Sequence, residues 1–523
     1  MMGQRTSDGG VGRVRYAGEC EMARRQERRH AVSGGGKLWI SVIVASLGGC
    51  MVGPDYKRPE VSVPGDWSES TAGGPTAQAA GVARWWKTLG DPVLDSLVAR
   101  AVESNSDLKI AAARIREARA LRRIVSAGEW PTVNSSGAYR RSKQSESTEF
   151  AQIASGFAGG GVPAGAGSFG GFGKEMDLWQ GGFDASWELD VFGGVRRAVE
   201  AADAEVAAVE ESRRDVLVAL LAEVGQNYVE LRGLQKQIGI VQANVKSQQE
   251  MVELTRARFK AGLTGELDVV RAEAQVALTR SQLPVVEALS RRAIHRLGVL
   301  TGQWAGALSE ELSKAGAIPG VPAVVPVGLP SELLRRRADV RRAERQVAAA
   351  TARIGVATAD LFPKFSLTGG IGLQSNKFKT LGNWDSRFWS IGPGVSFPVF
   401  DRGKIRANIQ VQNARQEQAL AWYENTVLRA LAEVEDALVA YAKEQVRRDS
   451  LEEAVKANRR AVELASDLYT KGLADFLSVL EAQRSLYSSE EQLALSERSV
   501  SVDLVALYKA LGGGWEEEGG EGK

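Results

Sequence analysis

Lys260-Ala261-Gly262-Leu263 and Thr470-Lys471-Gly472-Leu473 are two copies of one turn, 210 residues apart. The copies run on behind each glycine. Leu267-Asp268-Val269-Val270-Arg271-Ala272-Glu273 is matched by Leu477-Ser478-Val479-Leu480-Glu481-Ala482-Gln483 at the same offset. Upstream, Ala127-Gly128-Glu129-Trp130-Pro131 resembles Ala359-Asp360-Leu361-Phe362-Pro363, and Val191-Phe192-Gly193-Gly194 resembles Val399-Phe400-Asp401-Arg402-Gly403. A period this long is far above that of solenoid repeats, so the chain reads as a duplicated half and not as an array.

Each half has one order: helix, strand, glycine-rich loop, strand, very long helix, short turn, helix. No proline stands between Gly194 and Leu283, and none follows Pro398. Residues 194–260 read as one helix of roughly 100 Å, longer than a globular domain holds. Leu217, Leu220, Val224, Asn227, Leu231, Leu234, Ile238, Val241 and Val245 alternate steps of three and four, as do Val427, Leu431, Val434, Leu438 and Tyr441. That is the seam of a coiled coil. A plain dimeric coiled coil does not account for strands at the base of each long helix. The reading leaves open whether Pro284 kinks the returning helix.

The strand signal is alternation. Phe183, Ala185, Trp187, Leu189 and Val191 alternate with Asp184, Ser186, Glu188 and Asp190. Phe365, Leu367, Ile371 and Leu373 alternate with Lys364, Ser366, Thr368 and Gly370. Trp389, Ile391, Val395, Phe397 and Val399 alternate with Ser390, Gly392, Gly394 and Ser396, while segment 132–140 gives the weakest pattern. Half-buried soluble strands share this alternation. In lipid, strands span only as closed barrels, which in bacteria start at about eight strands. Four strands cannot close alone, so several chains must share one barrel.

Composition narrows the function. Lys+Arg number 66 and Asp+Glu 64, too balanced for a nucleic-acid partner. Two cysteines, Cys20 and Cys50, make no disulfide framework. Two histidines, His30 and His295, leave almost nothing for zinc or for histidine-based catalysis. No nucleophile motif stands out, so no enzyme and no cofactor is expected. Gly165-Ala166-Gly167-Ser168-Phe169-Gly170 spells a dinucleotide fingerprint, but it lies in a loop between strands, with no helix opening at it. Gly34-Gly35-Gly36-Lys37 lacks phosphate-loop spacing.

The N-terminus reads as a targeting segment. Arg24, Arg25, Arg28, Arg29 and Lys37 precede an apolar run from Leu38 to Leu47, followed by Gly48-Gly49-Cys50. The run is shorter than the roughly 20 residues of a membrane span. Cleavage before Cys50 and acylation there are expected, with Met22 a second candidate start. The mature chain then carries a net charge of −2.

Together these pieces resemble the outer-membrane factors of tripartite efflux pumps, the TolC-like family in its NodT/OprM-type lipoprotein branch. The resemblance rests on Cys50-Met51-Val52-Gly53-Pro54-Asp55-Tyr56-Lys57-Arg58-Pro59, Trp85-Trp86, Asp91-Pro92-Val93-Leu94 and the paired strand–helix junctions. It rests also on Tyr469-Thr470-Lys471-Gly472-Leu473 with Leu480-Glu481-Ala482-Gln483. It covers nearly all of 50–511.

The resemblance implies an α+β membrane protein. A homotrimer would form a 12-stranded transmembrane β-barrel, four strands per chain, continued by a periplasmic α-helical coiled-coil tunnel. It divides the chain into a signal peptide (1–49), a lipid-anchored extended segment (50–90) and a first repeat (91–311). An equatorial linker (312–330), a second repeat (331–511) and a tail (512–523) complete it. The expected function is a passive exit duct for drugs or other small molecules. Its partners would be outer-membrane lipid, a periplasmic adaptor and an inner-membrane pump of the resistance-nodulation-division class. Adaptors would dock at the hairpin tips, Gly262, Leu263, Gly472 and Leu473. Leu477 and Glu481 would line the periplasmic gate on one helical face. Tyr469 and Asp268 would tie the hairpins together, and the arginine that some relatives use there is Ala474 here. Ser478 stands where relatives hold a further acid. The same duct could serve type I protein secretion. A surface adhesin would instead show polar stalk repeats and no paired tips.

Overall fold

The duplication read at the turns extends through the helices. A computed structural model of the chain describes residues 51–68, 75–76, 82–143, 175–322 and 325–515. Cys50, the signal segment with Gly34–Lys37, and the Gly165–Gly170 loop lie outside the described residues. The first half contains α1 (Pro92–Ser104), α2 (Ser106–Ser126), β1 (Thr132–Lys143), β2 (Glu175–Leu189), α3 (Gly194–Lys260) and α4 (Glu266–Leu300). The second contains α5 (Pro330–Arg336), α6 (Ala338–Ala359), β3 (Lys364–Ser375), β4 (Arg387–Ser396), α7 (Lys404–Thr470) and α8 (Phe476–Ala510). The long helices α3 and α7 are 67 residues each, and α4 and α8 are 35 each. All four begin and end at the 210-residue offset.

The same devices start and stop the copies. Gly193 and Gly403 precede α3 and α7 with φ of 77° and 83°, a left-handed conformation that costs glycine nothing. Asp190 accepts from the amides of Val195 and Arg196, and Asp401 from those of Gly403 and Ile405. These carboxylates cover amides that a helix start leaves without partners. At the far end each half closes on itself. Asn105, which caps α2, donates to the Leu300 carbonyl at 3.0 Å. Arg337, before α6, donates to the Ala510 carbonyl at 3.1 Å. Leu300 and Ala510 are equivalent last residues of α4 and α8.

The four long strands form one antiparallel sheet in the order β1-β2-β3-β4. A separate two-residue parallel pairing joins Pro75–Thr76 to Val325–Pro326. Segment 132–140, the weakest strand by pattern, belongs to a 12-residue strand paired along its whole length with β2. Val191, Phe397 and Val399, read as continuing the alternation, lie beyond the strand ends. Val191 turns its amide onto Leu189, and Pro398 has no amide to give a ladder. α4 runs through Pro284 unbroken. The proline is solvent-facing, so water can satisfy the carbonyl it frees.

The main core sits where the short helices pack on α3 and α7. Leu94, Leu97, Leu221, Leu231, Val427, Val434, Leu504 and Leu507 are fully buried there. Trp85 stacks on Tyr508 at 5.6 Å and meets α3 at Gly225, where a Cβ would stand 2.6 Å from the indole. Tyr228 ties the N-cap of α1 to α3, since its hydroxyl reaches Asp91 at 2.5 Å and accepts from Arg232. Burial, then the bond to Asp91, pushes that hydroxyl above the usual tyrosine range. A second, smaller cluster lies near the hairpin turns.

Candidate functional site

The sheet has two chemically different faces. The register aligns Val133 with Ala185, Phe183 with Ile371 and Ile371 with Trp389. Trp179, Trp187, Leu367, Ile391 and Val395 fall on that same face by the period of two. The other face carries Asn134, Ser136, Asp184, Ser186, Glu188, Ser366, Thr368 and Ser390. Asn134 donates to Asp184 across it at 3.1 Å. The apolar face stands open: Val133, Phe183, Ile371, Trp389, Ile391 and Val395 are all exposed. Trp179 and Trp187 mark two levels on it, eight positions and roughly 27 Å of strand apart. Outer-membrane barrels show an apolar band of about that height between aromatic girdles. Among the described residues, β1 and β4 each leave one edge without a partner strand. Among the described residues no helix is long and apolar enough to cross a membrane.

The helices lead away from this sheet to two hairpin turns. Gly262 and Gly472 adopt φ of 73° and 75° there. Each turn is closed in the same way. Gly262 donates to Phe259 and Leu263 to Arg258, while Gly472 donates to Tyr469 and Leu473 to Leu468. This is the Schellman arrangement, and it leaves Leu263 and Leu473 exposed at the tips. Asp475 caps α8 by accepting from the Ser478 amide at 3.0 Å and its hydroxyl at 2.6 Å. Those two bonds hold the Asp475 carboxyl below the ordinary range.

Leu477 and Glu481 share one exposed face of α8, and Leu477 is 40% accessible. The opposite face buries Phe476, Val479 and Leu480 against Val252, Ala272 and Tyr469. The expected hydrogen bond between Tyr469 and Asp268 is not made. Tyr469 is packed inside the apolar cluster with its hydroxyl buried and, among the described residues, without a hydrogen-bond partner. Asp268 turns instead to the Thr264 hydroxyl of its own hairpin.

A different residue joins the two tips. The Arg258 guanidinium lies 4.7 Å above the Tyr469 ring and donates to the Thr470 carbonyl at 3.0 Å. Further along, Arg484 donates to Gln275 and Tyr487 to Gln282, both at 2.8 Å. The reading from sequence missed Arg258. Its only signal was a cation one turn before the first glycine, opposite the position where Ala474 had removed another.

The sequence profile of one family, described as outer membrane efflux protein, matches residues 97–303 and 329–513. The chain belongs to the outer membrane efflux protein family. It is 34% identical to nodulation protein T of Rhizobium leguminosarum bv. trifolii over 472 residues, 90% of this chain and 95% of that one. It is 31% identical to the probable efflux pump outer membrane protein TtgC of Pseudomonas putida over 92% of this chain and 96% of that one. The solved outer-membrane channel OprN superimposes with a TM-score of 0.81 at 37% identity, covering 89% of this chain and all of that one. The fold is that of the TolC-like channels, and the protein is an outer-membrane efflux channel, the exit duct of a tripartite efflux system.

Proposed function

We propose that three copies close one 12-stranded barrel, with β4 of each chain pairing β1 of the next. The observation that carries this is a four-stranded sheet with one apolar face, one polar face and two open edges. Strand edges in lipid leave backbone groups unsatisfied, at several kcal/mol each. Closure removes both edges, turns the apolar face to lipid and the polar face to a water-filled lumen. The helices then continue the wall as a periplasmic tunnel. Small molecules reach its mouth from an inner-membrane pump through an adaptor, which grips the tips around Gly262, Leu263, Gly472 and Leu473. Acylation at Cys50 adds a lipid anchor. Cleavage at Cys50 is checked by mass spectrometry of the mature N-terminus, where an unmodified end elsewhere ends that part of the reading.

The mouth is closed in this reading by the exposed face of α8. Three Leu477 side chains form an apolar constriction, and three Glu481 carboxylates form a ring one turn away. Like charges facing one another attract cations. Arg258 holds the second hairpin against the first, in the place the sequence had given to Tyr469 and Asp268. Opening swings the second hairpin outward. Single-channel conductance in a planar bilayer tests this. Leu477→Ala and Arg258→Ala are expected to conduct more, and Glu481→Ala to lose cation preference. If all three conduct like the parent, the constriction lies elsewhere.

A further inference from the structure

We infer that residues 51–58 are a strap that locks the two halves of the chain together at the strand–helix junction, with Arg197 as the buried cation that holds it. The strap is expected to stay in place whether or not Cys50 bears a lipid.

Arg197 lies in the first turn of α3 and is only 1% exposed. A buried guanidinium is tolerated only when its donors are used. Three of its acceptors come from the strap: the Val52 carbonyl at 3.1 Å, the Gly53 carbonyl at 3.4 Å and the Asp55 carboxylate at 2.6 Å. The fourth is Glu200 of its own helix at 2.7 Å. Without the strap, three of this cation's four acceptors vanish.

The backbone fit is as specific as the charge. Gly53 has φ +91°, and a Cβ there would stand 2.4 Å from the Gly355 Cα in α6. A Cβ on Gly355 would in turn meet the Arg197 side chain at 2.8 Å. Strap, α6 and α3 therefore meet at two glycines with no room for a side chain. On the other side the Val52 amide donates to the Phe192 carbonyl at 3.2 Å, and Met51 packs on Gly193. Farther along, the Tyr56 hydroxyl donates to Glu344 at 3.0 Å, and Arg58 pairs with the same buried carboxylate at 3.2 Å.

Phe192, Gly193 and Arg197 belong to the first half, whereas Glu344 and Gly355 belong to the second. The strap thus bridges the duplicated units where the long helices leave the sheet. A chain tethered only by a lipid would need none of this socket.

The test uses the full-length protein in detergent. Hydrogen exchange of the 51–58 segment and tryptic cleavage after Lys57 are followed by mass spectrometry. Both report the fraction of time the strap is open. Arg197→Gln is expected to speed both by about tenfold or more, the effect of unpairing a buried charge. Gly53→Val, whose Cβ has no room against Gly355, is expected to do the same and carries the test if Arg197→Gln does not fold. Cys50→Ser is expected to leave both rates at the parent value. Parent-like rates in Gly53→Val would overturn the strap. So would a Cys50→Ser protein that opens as fast as Gly53→Val, because the lipid would then be the clamp.

Discussion

Helices α3 and α7 are copies of equal length and buried very differently. Twenty-four residues of α3 are buried, against eight of α7. The reason begins in single residues at equivalent positions. Gly225 and Gly233 of α3 admit the Trp85 ring and the Arg498 stem, whereas α7 has Glu435 and Lys443 there. Position in the wall does the rest. α3 packs on α1, α2, α4, α6 and α8, while α7 packs chiefly on α6 and α8. Leu428, Val446 and Leu464 stand exposed on α7, and Leu267, Leu278, Val285 and Leu289 on α4. Apolar stripes on a coiled-coil wall of this length are what a neighbouring copy would cover. A duplicated unit has become two kinds of helix, one covered inside the chain and one that, in the proposed trimer, the next chain would cover.

The largest effect should come from charging the unfinished side. Leu278→Glu with Val285→Glu places two carboxylates on each copy of an interface that would desolvate them, at several kcal/mol per contact. Native mass spectrometry in detergent should then find monomers where the parent is expected to give the proposed trimer. A trimer of unchanged strength would break the comparison, since these stripes would have no neighbour to meet.

The finished side answers to volume instead. Gly225→Val drives a branched side chain into the Trp85 ring and should cost about 2–3 kcal/mol, read as a lower midpoint of thermal unfolding. Glu435→Val, at the equivalent position of α7, loses a hydrogen bond to the Ser68 amide and should cost less than about 1 kcal/mol. Equal losses would mean that the two helices are not buried for the reason given.

A smaller difference should appear in acid. Burial alone would raise the Asp339 carboxyl, but the hydrogen bonds and charge of Arg337 outweigh it and hold the group below the ordinary range. A depressed carboxylate stabilises the fold above its unfolded pKa of about 4 and stops doing so as pH falls below it. Asp339→Asn should therefore flatten the acid side of the midpoint-against-pH curve. An unchanged acid limb would remove Arg337 from the closure of the second half.

The smallest effect is expected at the last buried residue of α7. Tyr469→Phe removes a hydroxyl with no hydrogen-bond partner among the described residues, so stability should change by less than about 0.5 kcal/mol and conductance should hold. A large rise in conductance would restore the Tyr469–Asp268 tie and displace Arg258.

Much of this was legible in the residues. The repeated Gly-Leu turns, the proline-free runs and the alternating strands depend on local φ/ψ preference and on periods of 2 and 3.6, which any reader of the chain can count. The boundaries of α3 and the offset of its copy followed from them. The weak segment 132–140 was harder, because an exposed strand paired on one edge carries few apolar residues to declare itself.

What only the tertiary structure decided are the contacts between residues far apart in sequence. Nothing local assigns Arg197 to the backbone of Val52 and Gly53, or Asn105 and Arg337 to the last carbonyls of α4 and α8. Nothing local turns Tyr469 away from Asp268 and under Arg258. Backbone preference and hydrophobic period act within a turn or a strand, and so the sequence by itself determined the elements and their duplication. A buried polar group takes whichever partner packing brings within about 3 Å, and packing is settled only when all the helices are in place.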